Sequence, residues 1–288
     1  MLALGTAQFG QCYGIANQSG QVTAQAVTAI LARALQAGLD TLDTAIAYGE
    51  SEETLGRVGV TSWQVITKLP KLPDGISNVS QWVNEQVSGS LKRLNLRQLS
   101  ALLLHSPSDL FGPRGQDCIA ALADLKTRGH IRAAGISIYD PSELDAIWPV
   151  WRPDLVQAPL NVLDQRLYRS GWLSKLLRHG VRVHVRSAFL QGLLLMPADQ
   201  RPAWFNRWRG VLDSWLEWCL QHRVTPLQGA LQFLIGRSEI ERIVVGVDSV
   251  AQLEEILAAS TLDLSIRPPD SFFLADRELI EPSRWRLS

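Results

Sequence analysis

Short apolar runs alternate with amphipathic stretches eight times along this chain, and that alternation narrows the possible folds more than any other feature. The expected strands are Leu2–Leu4, Leu39–Asp43, Gln64–Lys68, Leu99–Leu104, Ile131–Ile138, Leu155–Ala158, Val181–Val185 and Glu241–Val245. Helical periodicity is read over 25–35, 79–94, 116–128, 141–148, 171–178, 208–221, 227–235 and 250–259. The strands are apolar without clean alternation, as strands are when both faces are covered. Strand, helix, strand throughout implies parallel connections. Eight such units in about 250 residues fit a single-domain α/β (β/α)8 TIM barrel spanning 1–288. A doubly wound sheet fits less well, because the GTAQFG turn after the first strand is not a dinucleotide-binding GxGxxG. Residues 262–288, rich in Pro, Phe and Trp, are expected to fold near the barrel mouth. Ser106–Gly115 and Gln191–Arg207 are candidate lids.

Composition removes several function classes. Acidic and basic residues balance at 28 each, so no net field favours nucleic acid or an anionic membrane. No window approaches the ~18 apolar residues of a membrane span, and MLALGTAQFG lacks the basic start of a signal peptide. Cys12, Cys118 and Cys219 are scattered and odd in number, the pattern of reduced cytosolic thiols rather than a disulfide framework or a metal cluster. A cytoplasmic protein acting on a small molecule, as a monomer or small homo-oligomer, is expected.

The chemistry concentrates at strand ends. Asp43 closes the second strand, Lys68 the third, and His105 follows the fourth; Tyr48 lies in the loop after Asp43. In a parallel barrel these ends converge on the face where active sites are built. A phenol is a poor acid at neutral pH, and a nearby ammonium favours its ionised form. Lys68 supplies that ammonium, Asp43 keeps it charged, and His105 orients a substrate oxygen. Such a set donates a proton to an oxygen that is becoming negative. Reduction of a carbonyl has this requirement, and the hydride must come from a cofactor. Taken singly, each residue also has an ordinary structural reading: a turn cap, a solvated lysine, a loop histidine.

The segments LGTAQFG, LDTAIAYGESEETLG, ITK, LLLHSP, GIS, VQAPLN, RSAFLQGLL and VVGVDSVAQLEE together resemble the aldo-keto reductases over nearly the full length. The resemblance implies reduction of an aldehyde or ketone with NADPH or NADH and without metal. Tyr48 is then the general acid, Lys68 and Asp43 tune it, and His105 orients the carbonyl. Ser137 and Gln157 match residues that hold the nicotinamide carboxamide, Thr6 belongs to the same cofactor set, and Ser187, Phe189, Gln191 and Gly192 match the loop around the pyrophosphate. The position that usually stacks an aromatic ring on the nicotinamide is Arg186: a stacking guanidinium, a contact to an anionic substrate group, or a structural ion-pair residue. Ile138 stands where the family often has Asn. Val247, Gln252 and Glu255 match the adenosine end, where the cations that hold a 2′-phosphate are missing and Asp248 would repel one, so NADH use is expected more than in a typical member. The chain starts almost at its first strand, without the family's usual N-terminal hairpin, so another element covers the barrel bottom or that end stays open. The opening LGTAQFGxxYGIAN is most similar to bacterial members linked to carbohydrates, which points to a sugar-derived carbonyl. Gln8, Cys12, Tyr13, Ser106 and Phe111, with Trp204 or Trp208, are the expected substrate contacts. The alternatives are a cofactor-binding redox-sensing protein with little turnover, and a metal-dependent barrel enzyme, for which His105 and Asp43 supply too few ligands.

Overall fold

In the computed structural model, which describes residues 1–17, 19–262 and 266–287, eight parallel strands close into a barrel in sequence order. They are β1 (Leu2–Gly5), β2 (Thr41–Asp43), β3 (Gln64–Leu69), β4 (Ala101–Leu104), β5 (Ala134–Ser137), β6 (Leu155–Pro159), β7 (Arg182–Arg186) and β8 (Arg242–Gly246). The strand-to-strand register runs round without a break and closes β8 on β1, with Leu4 opposite Val245. Helices Ala24–Gln36, Ser51–Val58, Val79–Leu94, Gly115–Thr127, Ser142–Ile147, Trp172–Arg178, Pro226–Leu234 and Val250–Thr261 lie outside the strands, and Arg209–Gln221 is an additional helix before the eighth strand.

The helix limits fall within a residue or two of those read from periodicity, and Val79–Leu94 coincides. Three strands are shorter than their apolar runs. Leu39 is buried but precedes the ladder of β2. Leu99 and Ile131 form one isolated bridge before the regular pairing of β4 and β5 begins, and Ile138 lies just beyond β5. Apolar character marks burial, and burial here extends past the hydrogen-bonded part of each strand.

The core lies between the strands and the helices. Leu42, Val65, Val156, Val183, Val185 and Ile243, pointing outward from the barrel, pack against Ile30, Leu55, Val83, Leu122, Leu173 and Leu253 of the helices. Glu52 does more than place charge at a helix start. Its Oε1 accepts from Thr67 Oγ1 at 2.6 Å and Ser90 Oγ at 2.7 Å, and its Oε2 accepts from Arg93 Nε at 2.8 Å. This buried knot pins the helix after Tyr48 to β3 and to the next helix.

The barrel bottom has no hairpin among the described residues; charged side chains lie there instead. Arg242, at the start of β8, reaches past β1 to donate to Thr41 Oγ1 at 3.2 Å and pairs with Asp40. The buried His184 meets Glu241 at 3.1 Å. At the other end, residues 266–287 pack against the loops that follow β6 and β7. Leu274 donates its N–H to the Leu163 carbonyl, Arg166 pairs with Glu281, Trp208 donates to Asp276, and Trp285 meets the edge of Phe205 at 4.9 Å.

Candidate active site

The loops after β1 and β2 touch backbone to backbone. A Cβ on Gly10 would sit 1.8 Å from the Tyr48 carbonyl oxygen, and one on Gly49, whose φ is +52°, would sit 2.3 Å from the Gly10 oxygen. Only glycine allows this approach, and it holds Tyr48 over the open end of the barrel.

Beneath Tyr48 lies a buried ion pair. Lys68 is 1% exposed, and its Nζ donates to Asp43 Oδ2 at 2.7 Å and to the Thr44 carbonyl at 2.8 Å. Burial alone would pull the lysine down; the Asp43 carboxylate outweighs it and holds the lysine above its ordinary value. The ammonium lies 5.1 Å from the centroid of the Tyr48 ring. His105 presents its ring edge-on to Tyr48 at 6.0 Å. Burial, and then the positive charges of Lys68 and Arg186, push His105 down to about 4. The imidazole is therefore neutral at pH 7 and has one N–H to donate.

A stability consequence follows from that depression. Between the unfolded value near 6.5 and the folded value near 4, the unfolded chain binds a proton at this position that the folded chain does not. The contribution of His105 is thus intact above pH ~6.5 and lost as pH falls through about 4. Urea denaturation at pH 7 and pH 4.5 should show His105→Gln losing less stability on acidification than the wild-type chain; parallel losses would remove His105 as the cause.

Tyr48, Asp43 and His105 open onto a cavity of about 480 Å³ that runs from the barrel mouth to the start of helix Val250–Thr261. Thr6, Gln8, Tyr13, Asp43, Tyr48, His105, Ser137, Gln157, Arg186, Ser187, Phe189, Gln191, Gly192, Gln252 and Glu255, all expected at the site, line it. Lys68 lies one layer below. Val247 turns into the core instead, and Cys12, Ser106 and Phe111 do not line the cavity. Ser106 meets Ser108 at 2.7 Å, and its loop is tied down by Asp109 to Leu72 and by Arg114 to Pro73. Trp208 is buried against Phe205 and hydrogen-bonded to Asp276, and neither it nor Trp204 lines the cavity.

Several lining residues lie outside the expected set, Tyr139 and Asn17 among them. Tyr139 stands two residues beyond Ser137 and faces the cavity with it, while Ile138 between them is buried in the core. Strand alternation carried one residue further would have found it. Asn17 donates to Asp248 Oδ1 at 3.2 Å across 231 residues, closing the loop after β1 over the far end of the cavity; no local signal gives that contact.

The cavity fits a nicotinamide dinucleotide. Gln157 donates from Nε2 to Asp43 Oδ1 at 2.6 Å, and its buried Oε1 has no partner among the described residues. Ser137 is paired with Gln157 in the register of β5 and β6 and also lines the cavity. A primary carboxamide bound there would donate an N–H to Gln157 Oε1 and accept from the Ser137 hydroxyl. Ser187, Leu190, Gln191 and Gly192 all have positive φ, between 48° and 92°. Non-glycine residues hold that conformation at a cost, and it gathers at binding loops. The Ser187 carbonyl is pinned by Asn161 Nδ2 at 3.0 Å. A Cβ on Gly192 would sit 2.5 Å from that of Ala16, so this loop and the one after β1 approach each other closely. Among the described residues no group of three His, Cys, Asp or Glu could hold a metal, and no helix is long and apolar enough to cross a membrane.

The chain is 28% identical over 200 residues to the NADH-specific methylglyoxal reductase of Escherichia coli (strain K12), a match covering 64% of this chain and 60% of that protein. It is 28% identical over 262 residues to the L-galactose dehydrogenase of Arabidopsis thaliana, covering 84% of this chain and 80% of that one. The holo form of an aldo-keto reductase from Bacillus halodurans superposes with a TM-score of 0.74 at 22% identity, over 92% of this chain and 88% of the other, which shows the fold. The sequence pattern of the Aldo/keto reductase family matches residues 1–268, and the chain therefore belongs to that family, whose members reduce carbonyls with NADH or NADPH.

Proposed function

We propose that this chain is an NADH-preferring reductase of small, sugar-derived aldehydes or ketones in the cytoplasm, with Tyr48 as the proton donor. The observation that carries the reading is the unpartnered Gln157 Oε1, buried in the same cavity as Tyr48, Asp43 and His105, with Lys68 paired to Asp43 beneath them. The bound dinucleotide supplies the hydride, which no side chain can. The chain's own residues do the rest. His105, neutral, donates a hydrogen bond to the carbonyl oxygen and fixes its position. Lys68, kept charged by Asp43, sets its positive charge 5.1 Å from the centre of the Tyr48 ring, where it stabilises the negative charge left as Tyr48 passes its proton to that oxygen. Asp43 also orients Gln157 through its other oxygen, coupling the seat of the carboxamide to the ion pair.

Cofactor preference follows from the far end of the cavity. Asp248, Gln252 and Glu255 line it, and Arg186 at the mouth is the sole Lys or Arg among the lining residues. Gln252 Oε1 is occupied by the Asp248 N–H at 2.8 Å. A 2′-phosphate finds no cation there and meets a carboxylate, whereas a ribose diol donates to carboxylate oxygens without penalty. The NADH specificity in the name of the Escherichia coli relative supports the same choice, and the two relatives' names together support a small sugar-derived substrate.

The test is titration of the protein with NADH and with NADPH, followed by quenching of tryptophan fluorescence, then a panel of small sugars and ketoaldehydes. NADH should bind at least as tightly as NADPH, and Asp248→Arg should improve NADPH selectively. A preference for NADPH above about a hundredfold, ~2.7 kcal/mol, would refute the assignment.

A further inference from the structure

Arg186 ends β7, and its guanidinium turns across the barrel mouth. The sheet order there is β5, β6, β7, and the side chain spans the middle strand. Its Nη2 donates to the Ile138 carbonyl just past the end of β5 at 3.1 Å, and its Nη1 lies 3.4 Å from Ser187 Oγ. The Tyr139 ring packs against the guanidinium, 4.6 Å away. The strand it crosses carries Gln157, and the strand it reaches ends in Ser137. The cation therefore lies across the two side chains read above as the seat of the carboxamide.

No carboxylate forms an ion pair with this guanidinium among the described residues; its polar partners are a carbonyl and a hydroxyl. The other cation of the site, Lys68, is neutralised by Asp43. Around the nicotinamide seat the charges thus sum to one unbalanced positive charge, held half-buried where solvent screens it poorly.

We infer that Arg186 makes the site hold the reduced, neutral nicotinamide more tightly than the oxidised, positively charged ring, and so raises the potential of the bound couple. The inference rests on the reading of Ser137 and Gln157 as the nicotinamide seat. In the reaction a carbonyl compound, NADH and one proton give an alcohol and NAD⁺. The carbonyl carbon gains a hydride from the cofactor, which is oxidised, and the carbonyl oxygen gains the Tyr48 proton, which solvent later replaces. The overall equilibrium is untouched, because Arg186 is unchanged at the end of the cycle. What changes is its division among steps. Hydride donation on the enzyme becomes less favourable, release of the oxidised cofactor becomes correspondingly easier, and hydride acceptance in the reverse direction is favoured.

The experiment is isothermal titration of the ligand-free protein with NADH and, separately, with NAD⁺, for the wild-type chain, Arg186→Gln, Arg186→Lys and Gln157→Leu. Removing the charge should lower the ratio Kd(NAD⁺)/Kd(NADH) by about tenfold, ~30 mV for a two-electron couple, mainly through tighter NAD⁺ binding. Arg186→Lys, which keeps the charge, should stay close to the wild-type ratio. An equal change in both affinities in Arg186→Gln would overturn the inference and leave Arg186 as packing. An unchanged ratio with poorer turnover of carboxylate-bearing carbonyls alone would also overturn it, and assign the charge to the substrate. Gln157→Leu tests the underlying seat. It should weaken both forms alike, and if it weakens neither, the nicotinamide lies elsewhere and the inference falls with it.

Discussion

Tyr48→Phe is expected to bind NADH as the wild-type chain does and to lose about 10²- to 10⁴-fold in turnover, the usual contribution of a positioned general acid. The substitution removes one oxygen and little else. The ring stays edge-on to His105 and beside the Lys68 ammonium, and the backbone contact through Gly10 and Gly49 does not involve the phenol. The proposed seat of the carboxamide is built from other residues. Without the hydroxyl, the oxygen that becomes negative has the His105 N–H for stabilisation but no proton donor. His105 cannot take over at neutral pH, because with a value near 4 it carries no spare proton. Single-turnover oxidation of bound NADH at saturating carbonyl is the measurement. Retained turnover would remove Tyr48 as the acid, whereas joint loss of NADH binding and turnover would make the phenol a structural residue.

The sequence exposed the barrel because each strand is a short apolar run, set apart from the next by a segment with a helical period. It exposed the four reactive groups for a related reason. Asp43 ends its strand, Lys68 is the last residue but one of its own, and His105 directly follows the fourth, so topology alone brings them together. What it hid depends on how loops fold back. Asn17 closes on Asp248 at a separation of 231 residues, and nothing near either residue announces the pairing. Cys12, Ser106 and Phe111 sit in the expected loops, yet those loops turn their side chains away from the cavity. Glu52 reads as a helix-start charge, and its burial among Thr67, Ser90 and Arg93 depends on three elements arriving at one place. Tyr139 was within reach. Ile138 faces the core, and strand alternation turns the next residue along toward the cavity.

Asp43→Ala is expected to cost about 3–5 kcal/mol of stability at pH 7, the effect of leaving one member of a buried ion pair alone. Lys68 would keep only the Thr44 carbonyl, and Gln157 would lose the acceptor for its Nε2. A buried ammonium with no counter-charge is depressed below its unfolded value of about 10.4. The sign then reverses between the two proteins. In the wild-type chain Lys68 is raised, so its contribution is complete below the unfolded value and is lost as pH rises through the folded one. In Asp43→Ala the folded value is the lower, so stability should climb from pH 7 toward pH 9.5 as the lysine sheds its proton. The double variant Asp43→Ala/Lys68→Met removes both charges from the low-dielectric interior. It should be more stable than Asp43→Ala alone, because the penalty lies in the unpaired charge rather than in the missing contact. Urea denaturation of the three proteins at pH 7 and pH 9.5 measures this. If the single variant loses less than about 1 kcal/mol, the size of an exposed pair, or if the double variant gains nothing over it, then Lys68 is not held charged by Asp43. The account of how Lys68 helps Tyr48 release its proton would have to be abandoned with it.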